Sequence, residues 1–101
     1  MMTIEYFPPP GTPMDELDTP ALIVDLDKAE SNIKRLQSNA DRIGVAVRPH
    51  VKTHKSPFWA MKQINAGAIG VCAAKLGEAE VMVDGGIKDV LVANQIVGSD
   101  K

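Results

Sequence analysis

The chain has a single cysteine, Cys72, so it can form no internal disulfide, and a reducing compartment is the expected setting. Its aromatic residues are few: Tyr6, Phe7, Phe58 and Trp59 provide no stacking platform for bases. Neither sign of charge dominates. Eleven basic against 13 acidic residues leave a net charge of -2, which excludes a basic field for nucleic acid. No apolar run is long enough to span a bilayer. The N-terminus carries Glu5 and a proline-rich run where a secretory signal would place a basic and then an apolar region. A cytoplasmic protein with no membrane or nucleic-acid partner is therefore expected. With 101 residues, 45% of them apolar, the chain is long enough for one small domain with a modest core.

Residues 1–17 read as an irregular arm, because Pro8-Pro9-Pro10-Gly11-Thr12-Pro13 favours extended backbone and cannot supply a ladder of N–H donors. Such a run is either a ligand for a proline-recognising module or, as is commoner, a leader lying on a surface. Residues 18–101 read differently. Residues 21–26 are predicted to form a strand, and Asp27 with Glu30 has the spacing of a helix-capping box. Ala29, Ile33, Leu36, Ala40 and Ile43 then make one apolar stripe, ended by Gly44. Strand 46–52 follows, then a helix over about 57–66 with Pro57 in its first turn and Gly67 as its stop. A short buried strand over 69–73, a helix over 76–83 and a strand over 89–93 complete the pattern.

Strands alternating with helices at this spacing predict βαβ units and a mainly parallel sheet with right-handed crossovers. The rhythm reads as unfinished. A closed β/α barrel has eight strands and roughly 250 residues, whereas this pattern holds one leading strand and three of barrel type. Alone it leaves a bare parallel edge. It is either a piece of a longer protein or a small open three-layer domain. The first is preferred, because parallel sheets need cover on both faces.

The segment Arg48-Pro49-His50-Val51-Lys52-Thr53-His54-Lys55 is the most informative. In a strand over 46–52 the side chains alternate, with Val45, Val47, Pro49 and Val51 on one side and Arg48, His50 and Lys52 on the other. Three basic groups on one face of a buried strand are costly unless that face opens on a polar cavity or an anionic ligand. Lys52 falls where strands end and βα loops begin, the usual location of ligand groups in such folds. A lysine there can capture a carbonyl compound. Its amine must be partly deprotonated to do so, and Arg48 and His50 would supply the positive charge that favours this. By residue type alone, an ordinary surface lysine at a strand end is the commoner reading of Lys52. Lys55 has the opposite parity and lies beyond the strand, so it is expected in solvent. His50 and His54 stand four apart, but Pro49 and Pro57 argue against a helix through them and no carboxylate or thiol completes a ligand set. No metal site is expected from these residues, and His50 reads as a hydrogen-bonding group for a cofactor or for the lysine. Asn94 and Gln95, at another strand end, read equally as ligand-binding groups and as turn residues. Glu78 and Glu80 are expected on the solvated side of their helix.

Three blocks, in order and collinear, resemble a known family. They are Leu17-Asp18-Thr19-Pro20-Ala21-Leu22-Ile23-Val24-Asp25, the Arg48 to Lys55 block, and Cys72-Ala73-Ala74-Lys75-Leu76-Gly77-Glu78-Ala79-Glu80. Together they resemble the N-terminal part of the D-threonine aldolase and D-serine dehydratase family, pyridoxal-phosphate enzymes of the alanine-racemase fold type. The resemblance implies an α/β fold, the first portion of a (β/α)8 barrel, over residues 18–101. It implies that Lys52 carries pyridoxal 5'-phosphate covalently, with His50, Arg48 and Asn94 around the cofactor. The pyridine ring then acts as electron sink. An aldolase of this family cleaves the bond between the α- and β-carbons of a D-β-hydroxy amino acid, giving glycine and an aldehyde. A dehydratase loses the α-proton and the hydroxyl, giving a keto acid and ammonia.

The resemblance further implies a divalent metal held by a C-terminal β-domain outside these residues, and a homodimer for the full-length protein. These 101 residues alone are accordingly expected to be inactive. The remaining alternatives are a racemase, which needs a second acid/base such as a tyrosine from elsewhere, and a non-catalytic pyridoxal-phosphate carrier of the same fold type.

Overall fold

The computed structural model describes residues 8–98. The first seven residues of the expected arm lie outside them. From Pro8 onward the arm is irregular apart from a single 3-10 turn, Met14–Glu16. Residues 21–25 are not a strand. They run as unpaired backbone leading into a helix, with Leu22 95% exposed. Their apolar, β-branched composition matched a strand, but a strand needs a ladder partner, and none is beside them among the described residues.

Helix α1 is Leu26–Ile43. Its cap is Asp25, not Asp27: the Asp25 carboxylate accepts from the Lys28 N–H, which moves the start two residues upstream of the expected capping box. Gly44 ends it in the left-handed conformation at φ 80°, while the Gly44 and Val45 N–H groups return to the Asp41 and Ala40 carbonyls. The contact face of α1 is displaced around the helix from the expected stripe. Ala40 and Gln37 are buried, whereas Leu36 and Ile43 are exposed. Helix α2, Pro57–Ala66, starts with the Ser56 hydroxyl accepting from the Trp59 N–H, has Pro57 in its first turn, and stops at Gly67 at φ 130°. A side chain on Gly67 would meet that of Gln37, so the glycine permits the close approach of α1 and α2. The Lys62 ammonium, 2.6 Å from Glu30, links the same two helices.

Strand β1, Val71–Ala73, and strand β2, Val90–Val92, pair in parallel with Val71 opposite Val90. Helix α3, Leu76–Asp84, connects them. The predicted strand 46–52 is reduced to a single parallel bridge, His50 to Cys72, supported by Cys72 N–H to Pro49 C=O and Val51 N–H to Cys72 C=O, each 2.8 Å. Its ladder is interrupted because Ile69, not Gly70, donates to Val47 C=O, one residue out of the register set at Cys72. The three parallel segments still lie side by side in chain order with α2 and α3 as crossovers, the βαβ arrangement expected. A parallel α/β partial domain is what is observed; strands that would close it are not among the described residues.

The core lies on one side of this sheet. Val51, Val71 and Ala73 face Ala60 of α2, Ala79 and Met82 of α3, and Ile87, and all are buried, with Val90 and Val92 packed against them. Met82, Ile87, Val51 and Val71 are the largest fully buried side chains, each contributing about 1.5–3 kcal/mol by transfer from water. By alternation His50, Cys72 and Leu91 point to the other face, where Leu91 is 52% exposed. Met82→Ala is expected to destabilise the fold by about 2–5 kcal/mol, whereas Leu22→Ala shifts it by less than ~0.5 kcal/mol; urea denaturation of the two variants checks both.

Candidate functional site

The uncovered sheet face carries the residues singled out by parity. At its N-terminal end Arg48 donates to the Asp89 carboxylate at 2.8 Å and to the Val71 carbonyl at 3.2 Å. The guanidinium passes directly over Gly70. A Cβ on that glycine would lie 2.7 Å from Arg48 Nη1 and 2.5 Å from the Asp89 carbonyl oxygen. Gly70 is therefore required by the close approach and not by its backbone angle. The Arg48 hydrogen bond is the main cause that holds the Asp89 carboxyl below the usual carboxylate range, with the Coulomb attraction adding to it. Arg48 was expected to lend positive charge to Lys52. Its charge is instead balanced by Asp89, four residues back along the segment, so it belongs to the far end of the face.

In the middle of the face stand His50, Cys72 and Leu91. The His50 Nδ1 accepts from the Lys52 N–H at 3.2 Å, and a neutral ring then carries its proton on Nε2. His50 is thus tied to the backbone of the lysine. His54 uses both ring nitrogens elsewhere: Nδ1 accepts from the Ser56 N–H at 2.9 Å and Nε2 lies 3.1 Å from Gln63 Oε1. Among the described residues no group of three or more His, Cys, Asp or Glu is placed to hold a metal.

At the C-terminal end the segment turns away. Lys55 N–H donates to Val51 C=O at 2.7 Å and closes a turn over Lys52, Thr53 and His54. Lys55 has φ 52°, a left-handed conformation that costs a non-glycine residue about 1–2 kcal/mol. The Lys52 side chain is exposed and takes part in no ion pair among the described residues. Lys55 is 64% exposed, as expected, with Nζ 4.0 Å from Glu78 Oε2. Asn94 donates from Nδ2 to the Ala74 carbonyl at 3.1 Å, so its amide braces the ends of β1 and β2 and keeps Oδ1 and its second Nδ2 hydrogen for any ligand.

Three helices and a one-sided parallel sheet, with a lysine at a strand end, allow direct comparison with known proteins. No family model matches the chain. In sequence it is 45% identical over 92 residues to the D-threonine aldolase of Arthrobacter sp., covering 91% of this chain and 24% of that protein. In structure it superposes on D-threonine aldolase from Filomicrobium marinum with a TM-score of 0.82 at 49% identity, covering 84% of this chain and 23% of that one. D-threo-3-hydroxyaspartate dehydratase from Delftia sp. HT23 gives a TM-score of 0.77 at 45% identity, over 81% of this chain and 22% of that one. The chain fits an N-terminal fragment of the D-threonine aldolase and D-serine dehydratase family. It spans about a quarter of the length of the relatives it matches.

Within this family frame, sequence reasoning missed two carboxylates. Asp89 has the parity of Leu91 and so shares the open face, but its pairing with Arg48 depends on a register spanning 41 residues of chain. Glu78 was placed on the solvated side of α3. Its side chain is only 11% exposed and accepts from the Ala74 N–H at 3.0 Å. The signal was present: Glu78 is the third residue of α3, the capping-box position, disguised because Lys75 and not Ser or Thr precedes the helix.

Gly70→Ala is expected to destabilise the fold by about 1–3 kcal/mol, read as a lowered urea midpoint. Because folding lowers the Asp89 pKa, the pair contributes above the unfolded carboxylate range and its contribution is lost as pH falls through the folded value. Asp89→Asn should therefore flatten the acid limb of stability against pH and leave the neutral-to-alkaline trend unchanged, measured as urea midpoints across pH.

Proposed function

We propose that these residues supply the lysine-bearing part of a pyridoxal-phosphate-dependent lyase acting on D-β-hydroxy amino acids. The observation that carries this reading is the position of Lys52. It ends a parallel segment at the loop-bearing edge of an α/β sheet, on the face opposite the core, with no carboxylate paired to its amine among the described residues. Relatives named as D-threonine aldolase, 3-hydroxy-D-aspartate aldolase and D-threo-3-hydroxyaspartate dehydratase support the substrate class, at 43–48% identity.

The residues present fit the cofactor's chemistry: Lys52 offers a primary amine for an aldehyde, and His50 beside it holds the lysine's backbone while its Nε2–H remains available as a donor. When bound, the cofactor supplies an electron sink for charge developing at the substrate α-carbon. Arg48 is ion-paired to Asp89 through Nη1 at the end of the face away from Lys52, so this reading gives it no part in holding the cofactor. Asn94 keeps Oδ1 and one Nδ2 hydrogen, so its amide can both accept from and donate to the cofactor in this reading.

The open sheet face and the exposed Leu36 and Ile43 are the surfaces that the later strands and helices of a (β/α)8 barrel would cover. In this reading the full-length protein is a homodimer, its divalent metal is held outside these residues, and the 101 residues alone do not turn over substrate. Aldolase chemistry is favoured over dehydration because the Arthrobacter aldolase matches across 91% of the chain.

Borohydride reduction of the complete gene product in the presence of pyridoxal phosphate, followed by peptide mapping, is expected to place the pyridoxyl group on Lys52. A label on Lys55 or Lys75 instead overturns the reading. Lys52→Ala should abolish the label and lower turnover of D-threonine by at least about a thousandfold. Glycine and acetaldehyde as products support the aldolase; a keto acid with ammonia assigns the dehydratase.

A further inference from the structure

We propose that Glu78 is a positioning residue for Lys52, acting with Asn94 as a side-chain substitute for the sheet ladder at the point where the lysine leaves it. The inference rests on the assignment of Lys52 as the cofactor lysine.

The argument comes from the hydrogen bonds that the ladder does not make. Around the His50–Cys72 bridge the parallel pattern is regular, with Cys72 N–H to Pro49 C=O and Val51 N–H to Cys72 C=O. Continued by two residues, it would join the Ala74 N–H to Val51 C=O and the Thr53 N–H to Ala74 C=O. Neither bond is present. Val51 C=O accepts from the Lys55 N–H, because the chain has already turned. The two backbone groups of Ala74 thereby lose their partners, and both are recovered by side chains. Glu78 Oε1 takes the N–H at 3.0 Å, and Asn94 Nδ2 donates to the C=O at 3.1 Å.

The consequence is local to Lys52. Register places Lys52 beside Ala74, so the pair would be ladder neighbours in an uninterrupted sheet. By taking up Ala74, Glu78 and Asn94 remove the competing ladder bonds that would pull residues 51–53 back into an extended strand. The other oxygen of Glu78 lies 4.0 Å from Lys55 Nζ, at the closing residue of the same turn. That contact is weak by itself, with Lys55 largely in solvent. The charged acceptor at Ala74 is the stronger interaction. Glu78 therefore contacts both the end of β1 beside Lys52 and the closing residue of the turn that presents it, and its carboxylate adds a negative charge at that end of the sheet.

The test uses the complete protein loaded with pyridoxal phosphate. Two readouts are followed: the rate at which bound cofactor exchanges with labelled cofactor, and the pH midpoint of the cofactor's visible absorbance. Glu78→Ala is expected to speed exchange by about tenfold, the scale of a sub-ångström to ångström displacement of a reacting group. Glu78→Gln keeps an acceptor for the Ala74 N–H and should recover most of the retention, while its lost charge shifts the pH midpoint downward. Asn94→Ala should speed exchange in the same direction, and Glu78→Ala with Asn94→Ala more than either alone.

Wild-type exchange and an unmoved midpoint in a natively folded Glu78→Ala protein overturn the proposal. If Glu78→Ala does not fold, Glu78→Gln decides, and a midpoint equal to wild type overturns it. Borohydride mapping of the wild type separates the two claims. A label on Lys52 with indifferent Glu78 variants sinks the positioning role alone; no label on Lys52 sinks both.

Discussion

The structure depends on how far residues 47–51 run in parallel beside β1. That pairing buries Val51 against Ala60 and Met82 and so anchors the segment to the core. It also ends at Val51, whose carbonyl is taken by the Lys55 N–H. One residue later the chain is free of the ladder, and that residue is Lys52. A segment that paired two residues further would draw the lysine into the sheet. One that paired two residues less would leave Val51 without its burial. The placement of the amine and the integrity of the core are thus two results of a single register.

The open face has two chemically distinct ends. At the N-terminal end Arg48 and Asp89 neutralise each other across a glycine that must lack a side chain. At the C-terminal end the strands finish in Lys52, Ala74 and Asn94, with Glu78 beneath them. Extended chain rises about 3.3 Å per residue, so four residues hold Arg48 and Lys52 ~13 Å apart along the segment. The two cations therefore do different work despite sharing a face. Arg48 satisfies buried backbone and closes the sheet, while Lys52 meets the loops.

The sheet is covered on one side only. Helices α2 and α3 bury Val71 and Ala73 completely, whereas Leu91 on the other face is half exposed. Parallel sheets are stable when both faces are sealed. That condition agrees with relatives about four times as long, of which this chain matches about a quarter. The displaced contact of α1, which leaves Leu36 and Ile43 exposed, has the same physical origin. An apolar stripe of that breadth is built to meet more than one neighbour.

Much of this was legible in the residues themselves. The alternation of apolar runs with glycine and proline stops fixed α2 over Pro57–Ala66, the approximate spans of β1, α3 and β2, and the βαβ order. Parity alone put Arg48, His50 and Lys52 on one face, because the period of two is a local property of extended backbone. What local pattern could not supply was partnership. Residues 21–25 have strand composition and no ladder beside them. Asp25 and Asp27 are both competent caps, and only the path of the incoming chain selects the first. The pairing of Arg48 with Asp89, the need for glycine at 70 and the capture of Ala74 by Glu78 and Asn94 all join groups distant in the chain or unsatisfied only once a ladder stops. Sequence determined which residues are able to form each element and which face each side chain takes. Tertiary structure decided where the ladder ends and which polar groups must then be satisfied, because hydrogen-bond completeness is a property of the assembled backbone and not of any segment by itself.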